Sequence, residues 1–77
     1  MALRLTINGV ARELEALDSP TTLALVVAAL SLKADRIAVE CNGEIAARDT
    51  WDSKQVQSGD RLEVVHFVGG GAGESAA

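Results

Sequence analysis

Few side chains in this 77-residue chain are equipped for chemistry, and the first question is whether any of them stand together. The single histidine, His66, serves as a general base only beside a nucleophile or an acid, and the sequence shows neither near it. A structural role is the expectation. The single cysteine, Cys41, falls on the inward side of an alternating segment, where a thiol behaves as a small hydrophobe and nothing nearby lowers its pKa. One Cys cannot form an internal disulfide, and one Cys with one His cannot build a zinc site without several converging carboxylates. Asp49, Asp52 and Asp60 are scattered around turns rather than paired for acid–base work, so they read as solvating surface groups. What remains is Gly69-Gly70-Gly71 near the end of the chain. Without Cβ atoms such a peptide is thin and can thread extended into a narrow channel, so a carboxylate at its tip could be delivered into another protein's active site. By itself a glycine run is a weak signal, equally suited to a linker. Its position directly after a strand gives it weight.

The elements that would hold this arm can be read from the pattern. Residues 3–7 alternate strictly, with Leu3, Leu5 and Ile7 on one face and Arg4 and Thr6 on the other, which predicts a strand with one wet side. Asn8-Gly9 suits a type I′ turn and returns the chain antiparallel over residues 10–14. Asp18-Ser19-Pro20 breaks the pattern, and Thr21 or Thr22 is placed to cap a helix bearing Leu23, Val26, Val27 and Leu30 at helical spacing. Ala24, Leu25, Ala28 and Ala29 make up its other positions, as helix propensity favours. A third strand spans residues 37–41, and Asn42-Gly43 turns it into a short element at residues 44–46. Trp51 is expected to cover the edge of the core.

The last strand, residues 61–68, has Leu62 and Val64 on one face and Glu63, Val65 and Phe67 on the other, so both sides turn apolar towards its end, as in a central strand. A mixed sheet with the first and last strands adjacent in the middle and one helix packed across it satisfies these constraints and the right-handed crossover rule. This is the β-grasp, or ubiquitin-like, arrangement, an α+β fold. The domain is expected over residues 1–68, with a flexible glycine-rich tail over residues 69–77 that has too little apolar surface to offset its ordering entropy.

Composition sets the outer limits. At 77 residues there is room for one small domain, and 48% hydrophobic with 23% charged residues is globular. The longest apolar run, residues 23–30, is far short of the ~20 residues that cross a bilayer. A net charge of −4 is opposite in sign to what phosphate backbones require, which argues against nucleic acid as partner. The N-terminus carries no secretion signal, and the cytoplasm is the expected location.

The segments Ile37-Ala38-Val39-Glu40-Cys41-Asn42-Gly43-Glu44-Ile45, then Arg48 and Trp51, then Gly59-Asp60-Arg61-Leu62-Glu63-Val64-Val65-His66-Phe67-Val68-Gly69-Gly70-Gly71, resemble the sulfur carriers of the thiamin pathway, the ThiS family. The resemblance spans residues 1–71 and includes the spacing from Gly59-Asp60 to the diglycine. Ala47 departs from the proline that often precedes this arginine. The resemblance implies a protein that is not itself an enzyme and binds no cofactor, whose reacting group is the carboxylate of Gly71, with Gly70 and Gly69 as the thin arm. An E1-like adenylyltransferase would consume ATP to activate that carboxylate, a sulfur donor such as a persulfide would convert it to a thiocarboxylate, and thiazole synthase would receive the sulfur. Val65 and Phe67 add to this on physical grounds, because apolar side chains on the strand face opposite the helix call for a partner's cover.

Residues 72–77 hold Gly71 in an internal peptide bond, which cannot be adenylated. A processing protease could remove them, they could be an addition made for expression, or the sulfur-carrying role could be lost. The retained glycine run and apolar strand face favour the first two. Two other readings stand beside thiazole formation: the small subunit of molybdopterin synthase, which usually has prolines leading into its diglycine where this chain has Phe67-Val68, and a β-grasp interaction module whose tail is only a linker.

Overall fold

The computed structural model describes residues 2–67. A five-stranded sheet has the order β2-β1-β7-β4-β5, built from β1 (Ala2–Ile7), β2 (Val10–Asp18), β4 (Ile37–Cys41), β5 (Glu44–Ala46) and β7 (Arg61–His66). A two-stranded sheet pairs β3 (Thr21–Thr22) with β6 (Gln55–Val56), and the helix α1 (Leu23–Ala29) follows β3 directly. β1 and β7 are parallel neighbours, while β1–β2, β4–β5 and β4–β7 are antiparallel. The first and last strands therefore sit side by side in the middle, as the sequence predicts for a β-grasp.

Alternation in the strands produces one buried face. Leu3, Leu5 and Ile7 from β1, Ile37, Val39 and Cys41 from β4, and Leu62 from β7 all point towards α1, whose Leu23, Val26 and Val27 close the core. Burial of this apolar surface is the main stabilising contribution to a domain this small. Trp51 lies deeper than expected. It is 4% exposed and belongs to the core, with its indole N–H donating to the Ala46 carbonyl at 2.9 Å, so it is not a lid at the edge. Val56 is fully buried beside it, although the polar residues around it hide its role in the sequence.

β2 runs on to Asp18, four residues beyond the predicted 10–14, because a register shift between Ala2 and Leu3 lets Ala2 face Asp18 while Leu3 faces Leu14. The Ser19–Pro20 bond is cis, and the chain then enters β3. Three of the orphan N–H groups at the start of α1 find partners: Leu23 donates to the Lys54 carbonyl, Ala24 to the Trp51 carbonyl, and Leu25 to the Thr22 hydroxyl. Thr22 is thus the cap of the two threonines, since its hydroxyl is the one that accepts the Leu25 N–H. At the other end Ser31 adopts φ 59°, its N–H donates to Ala28 and that of Leu32 to Val27, which is a Schellman closure.

Candidate functional site

β7 carries the chain towards the glycine run, so the site is best built from this strand outward. On its β4 side the ladder reaches the end of the strand, with Ile37 opposite His66 and the Phe67 N–H donating to the Arg36 carbonyl at 2.8 Å. On its β1 side the backbone ladder covers only Thr6–Arg61 and Ile7–Leu62, because β1 turns away at Asn8-Gly9. The Asn8 side chain takes over there. Its Oδ1 accepts the Val64 N–H at 2.7 Å, its Nδ2 donates to the Val64 carbonyl at 3.1 Å, and its own N–H donates to the Leu62 carbonyl at 2.9 Å.

The start of β7 is held by the second Asn-Gly turn in the same manner. Asn42 Oδ1 accepts the Arg61 N–H at 2.9 Å, Asn42 N–H donates to the Arg61 carbonyl at 2.8 Å, and Asn42 Nδ2 donates to Asp60 Oδ1 at 3.2 Å. Asp60 Oδ2 in turn accepts the Gln57 N–H, closing the turn before the strand. Both asparagines have the left-handed backbone of a type I′ turn, φ 51° at Asn8 and 53° at Asn42, and each also fastens a strand more than eighteen positions away. Sequence reasoning reads the turns but has no signal for the fastening, which depends on the register of β7.

The other predicted residues fall as follows. Val65 and Phe67 lie on the sheet face away from the helix, 58% and 57% exposed, as expected. Gly69, Gly70, Gly71 and the tail over residues 72–77 lie outside the described residues, as does Val68 at the end of the predicted strand. His66 is exposed at a shallow depression of about 180 Å³ shared with Asn8, Arg12, Leu30 and Leu32, and its side chain makes no hydrogen bond or ion pair among the described residues. Cys41 is buried, and burial followed by the nearby Asp60 carboxylate pushes its thiol pKa up, against the pull of Lys54. A thiol held protonated is a poor nucleophile. Among the described residues no three His, Cys, Asp or Glu side chains gather where they could hold a metal ion. No described helix is long and apolar enough to cross a membrane.

Comparison with known proteins places this geometry. The sequence model of the ThiS family matches residues 5–71. This chain belongs to the ThiS family. A crystal structure of the thiamine biosynthesis protein ThiS from Geobacter metallireducens superposes with a TM-score of 0.76 at 31% identity, covering 90% of this chain and all of that one. A solution structure of a thiamine biosynthesis protein from the same organism gives 0.74 at 31% identity, covering 96% and 95%. Two sequence relatives are thiazole synthases, one from Magnetococcus marinus at 35% identity over 69 residues and one from Paramagnetospirillum magneticum at 33% over 73. The match takes in 90% and 95% of this chain but spans only 20% and 22% of those proteins. As a member of the ThiS family the chain has the β-grasp fold of the Geobacter protein.

Proposed function

We propose that this ThiS-family chain carries sulfur as a thiocarboxylate on Gly71, once residues 72–77 are removed, and delivers it to thiazole synthase. A carboxylate resists nucleophilic attack, so the first step is its reaction with the α-phosphorus of ATP on an E1-like adenylyltransferase, with pyrophosphate leaving. The acyl-adenylate is then attacked by the terminal sulfur of a persulfide donor, and AMP departs. A second donor thiol cleaves the resulting acyl disulfide, leaving the thiocarboxylate on glycine and a disulfide on the donor. ATP is thus consumed by the partner. Gly69 and Gly70 form the side-chain-free neck that enters a partner's channel, and Val65 and Phe67 form the surface against which the partner rests. We place this work in the cytoplasm, with a processing protease acting before activation.

The observation that carries this reading is the position of β7. It is pinned at Arg61 by Asn42 and at Val64 by Asn8 in the centre of the sheet, and Val65 and Phe67 are exposed just before the glycine run. A rigid stem followed by glycine suits presentation of a carboxylate. The two full-length relatives named thiazole synthase, in which a segment like this one is part of a longer chain, support sulfur delivery to thiazole rather than to molybdopterin.

The test is activation of a chain ending at Gly71 by its host's adenylyltransferase. ATP-dependent exchange of pyrophosphate is expected, and Gly70→Val should abolish it while the melting temperature stays within about 1 °C, since the neck lies outside the core. A trimmed chain that supports no exchange would leave the interaction-module reading in its place.

A further inference from the structure

The clamp formed by Asn8 copies a piece of sheet that β1 does not supply. Phe67 pairs with Arg36 and Arg61 with Asn42, so the odd-numbered residues of β7 turn their backbone groups to the β4 side, and Leu62, Val64 and His66 turn theirs to the β1 side. β1 meets the first of these, with the Asn8 N–H on the Leu62 carbonyl at 2.9 Å, and then leaves the sheet at φ 51° and 80° over Asn8-Gly9. A parallel strand that continued would next offer a carbonyl to the Val64 N–H and an N–H to the Val64 carbonyl. The Asn8 side chain offers both. Its amide carries the acceptor and the donor of a peptide group, and they stand 2.7 Å and 3.1 Å from those two atoms.

For stability alone this substitute is modest, because Asn8 is exposed and water competes for both bonds. Its place in the chain gives it a further use. Residues 64–67 are the last described before Gly69-Gly70-Gly71, and glycine has the weakest backbone preference of any residue. The direction from which Gly71 is offered is therefore set, on the carrier's side, at this strand end. Its β4 side is closed by the Phe67 N–H on the Arg36 carbonyl at 2.8 Å, and its β1 side is closed by Asn8. Without Asn8 the end of β7 has β4 alone as a strand neighbour, and an enzyme that receives the arm must order the segment as it docks. That cost falls on association and not on the chemical step.

We propose that Asn8 is a positioning residue for activation of Gly71 by the adenylyltransferase: its side-chain amide stands in for the next peptide group of β1 and holds residues 64–67 in line before docking. This rests on the sulfur-carrier reading, which supplies the reaction.

The test is ATP-dependent pyrophosphate exchange by the host adenylyltransferase, followed over a range of concentrations of the chain ending at Gly71. Asn8→Gly keeps the left-handed turn and removes the amide. It should raise the KM for the carrier about fivefold and leave kcat within about twofold, with faster amide exchange at Val64. Asn8→Asp also keeps the turn but loses the donor to the Val64 carbonyl, and should raise KM in the same way. Thr22→Ala is the control for stability. It removes the cap of α1, lowers the melting temperature, and should leave KM within about twofold. A KM unchanged in both Asn8 variants, or raised as far by Thr22→Ala, would overturn the positioning role and leave the carrier reading standing. No exchange with the otherwise unchanged chain ending at Gly71 would overturn the carrier reading, and the positioning role with it.

Discussion

Asn8 and Asn42 each perform two jobs, and only one of them is visible in the sequence. The Asn-Gly pairs announce type I′ turns because both central positions need positive φ, and the angles bear this out at 51° and 80° for Asn8-Gly9 and 53° and 86° for Asn42-Gly43. The second job, hydrogen bonding to Val64 and Arg61, comes from residues 56 and 19 positions away in sequence, and no local pattern encodes it. Asn8→Gly separates the two, since glycine keeps the turn and removes the amide. It should lose about 1–2 kcal/mol in chemical denaturation for two hydrogen bonds, with faster hydrogen exchange at the Val64 amide and little change at Arg61. Cys41 offers a second check at this scale. Its thiol pKa is raised in the folded protein, so the unfolded chain ionises first as pH climbs, and the native state binds the extra proton. Its contribution is therefore level below the ordinary thiol range and turns unfavourable as pH rises through it. Measured against Cys41→Ala, whose curve lacks this component, wild-type stability should fall more steeply above about pH 8.5; parallel curves would remove the raised pKa.

At the scale of elements, the longer strands and the span of the helix were legible, and the two-residue strands and the closure after the helix were not. Strict alternation in β1 and β4 translated directly into buried and exposed faces, because a one-sided sheet leaves no other register for Leu3, Leu5 and Ile7 or for Ile37, Val39 and Cys41. The β3–β6 pair escaped notice since two-residue strands are too short to show a period, and with it went the burial of Val56. The sequence places Trp51 at the edge of the core; its indole hydrogen bond to Ala46 is what allows it to lie inside. The end of α1 lacks the glycine that usually marks a left-handed cap, and Ser31 occupies that position at φ 59°. Ser31→Gly relieves a conformation that costs a side-chain-bearing residue about 1 kcal/mol, so it should raise stability by about 0.5–1 kcal/mol and leave binding untouched. An equal or lower melting temperature would mean that the serine side chain contributes more than its backbone strain removes.

At the scale of the whole molecule, the described residues form a small sheet and helix whose central strand leads towards the proposed arm. The fold followed from the sequence because the apolar pattern, the two Asn-Gly turns and the two-sided end of the last strand agree on one topology. What remained hidden is on the outer face, where the meeting of Glu40 and Glu63 depends on the register of strands far apart in sequence. The sheet's middle strand is held by both of its neighbours and by two side-chain clamps, and the proposed arm follows it in sequence. That division suits a carrier, which needs a firm surface for recognition and a thin reactive end. The most direct measurement is the intact mass of the protein purified from its own cells under conditions that preserve thiocarboxylates. The account predicts a chain that ends at Gly71 with sulfur in place of one carboxylate oxygen. A chain that keeps all residues beyond Gly71 in every growth condition, with no sulfur added, would contradict it.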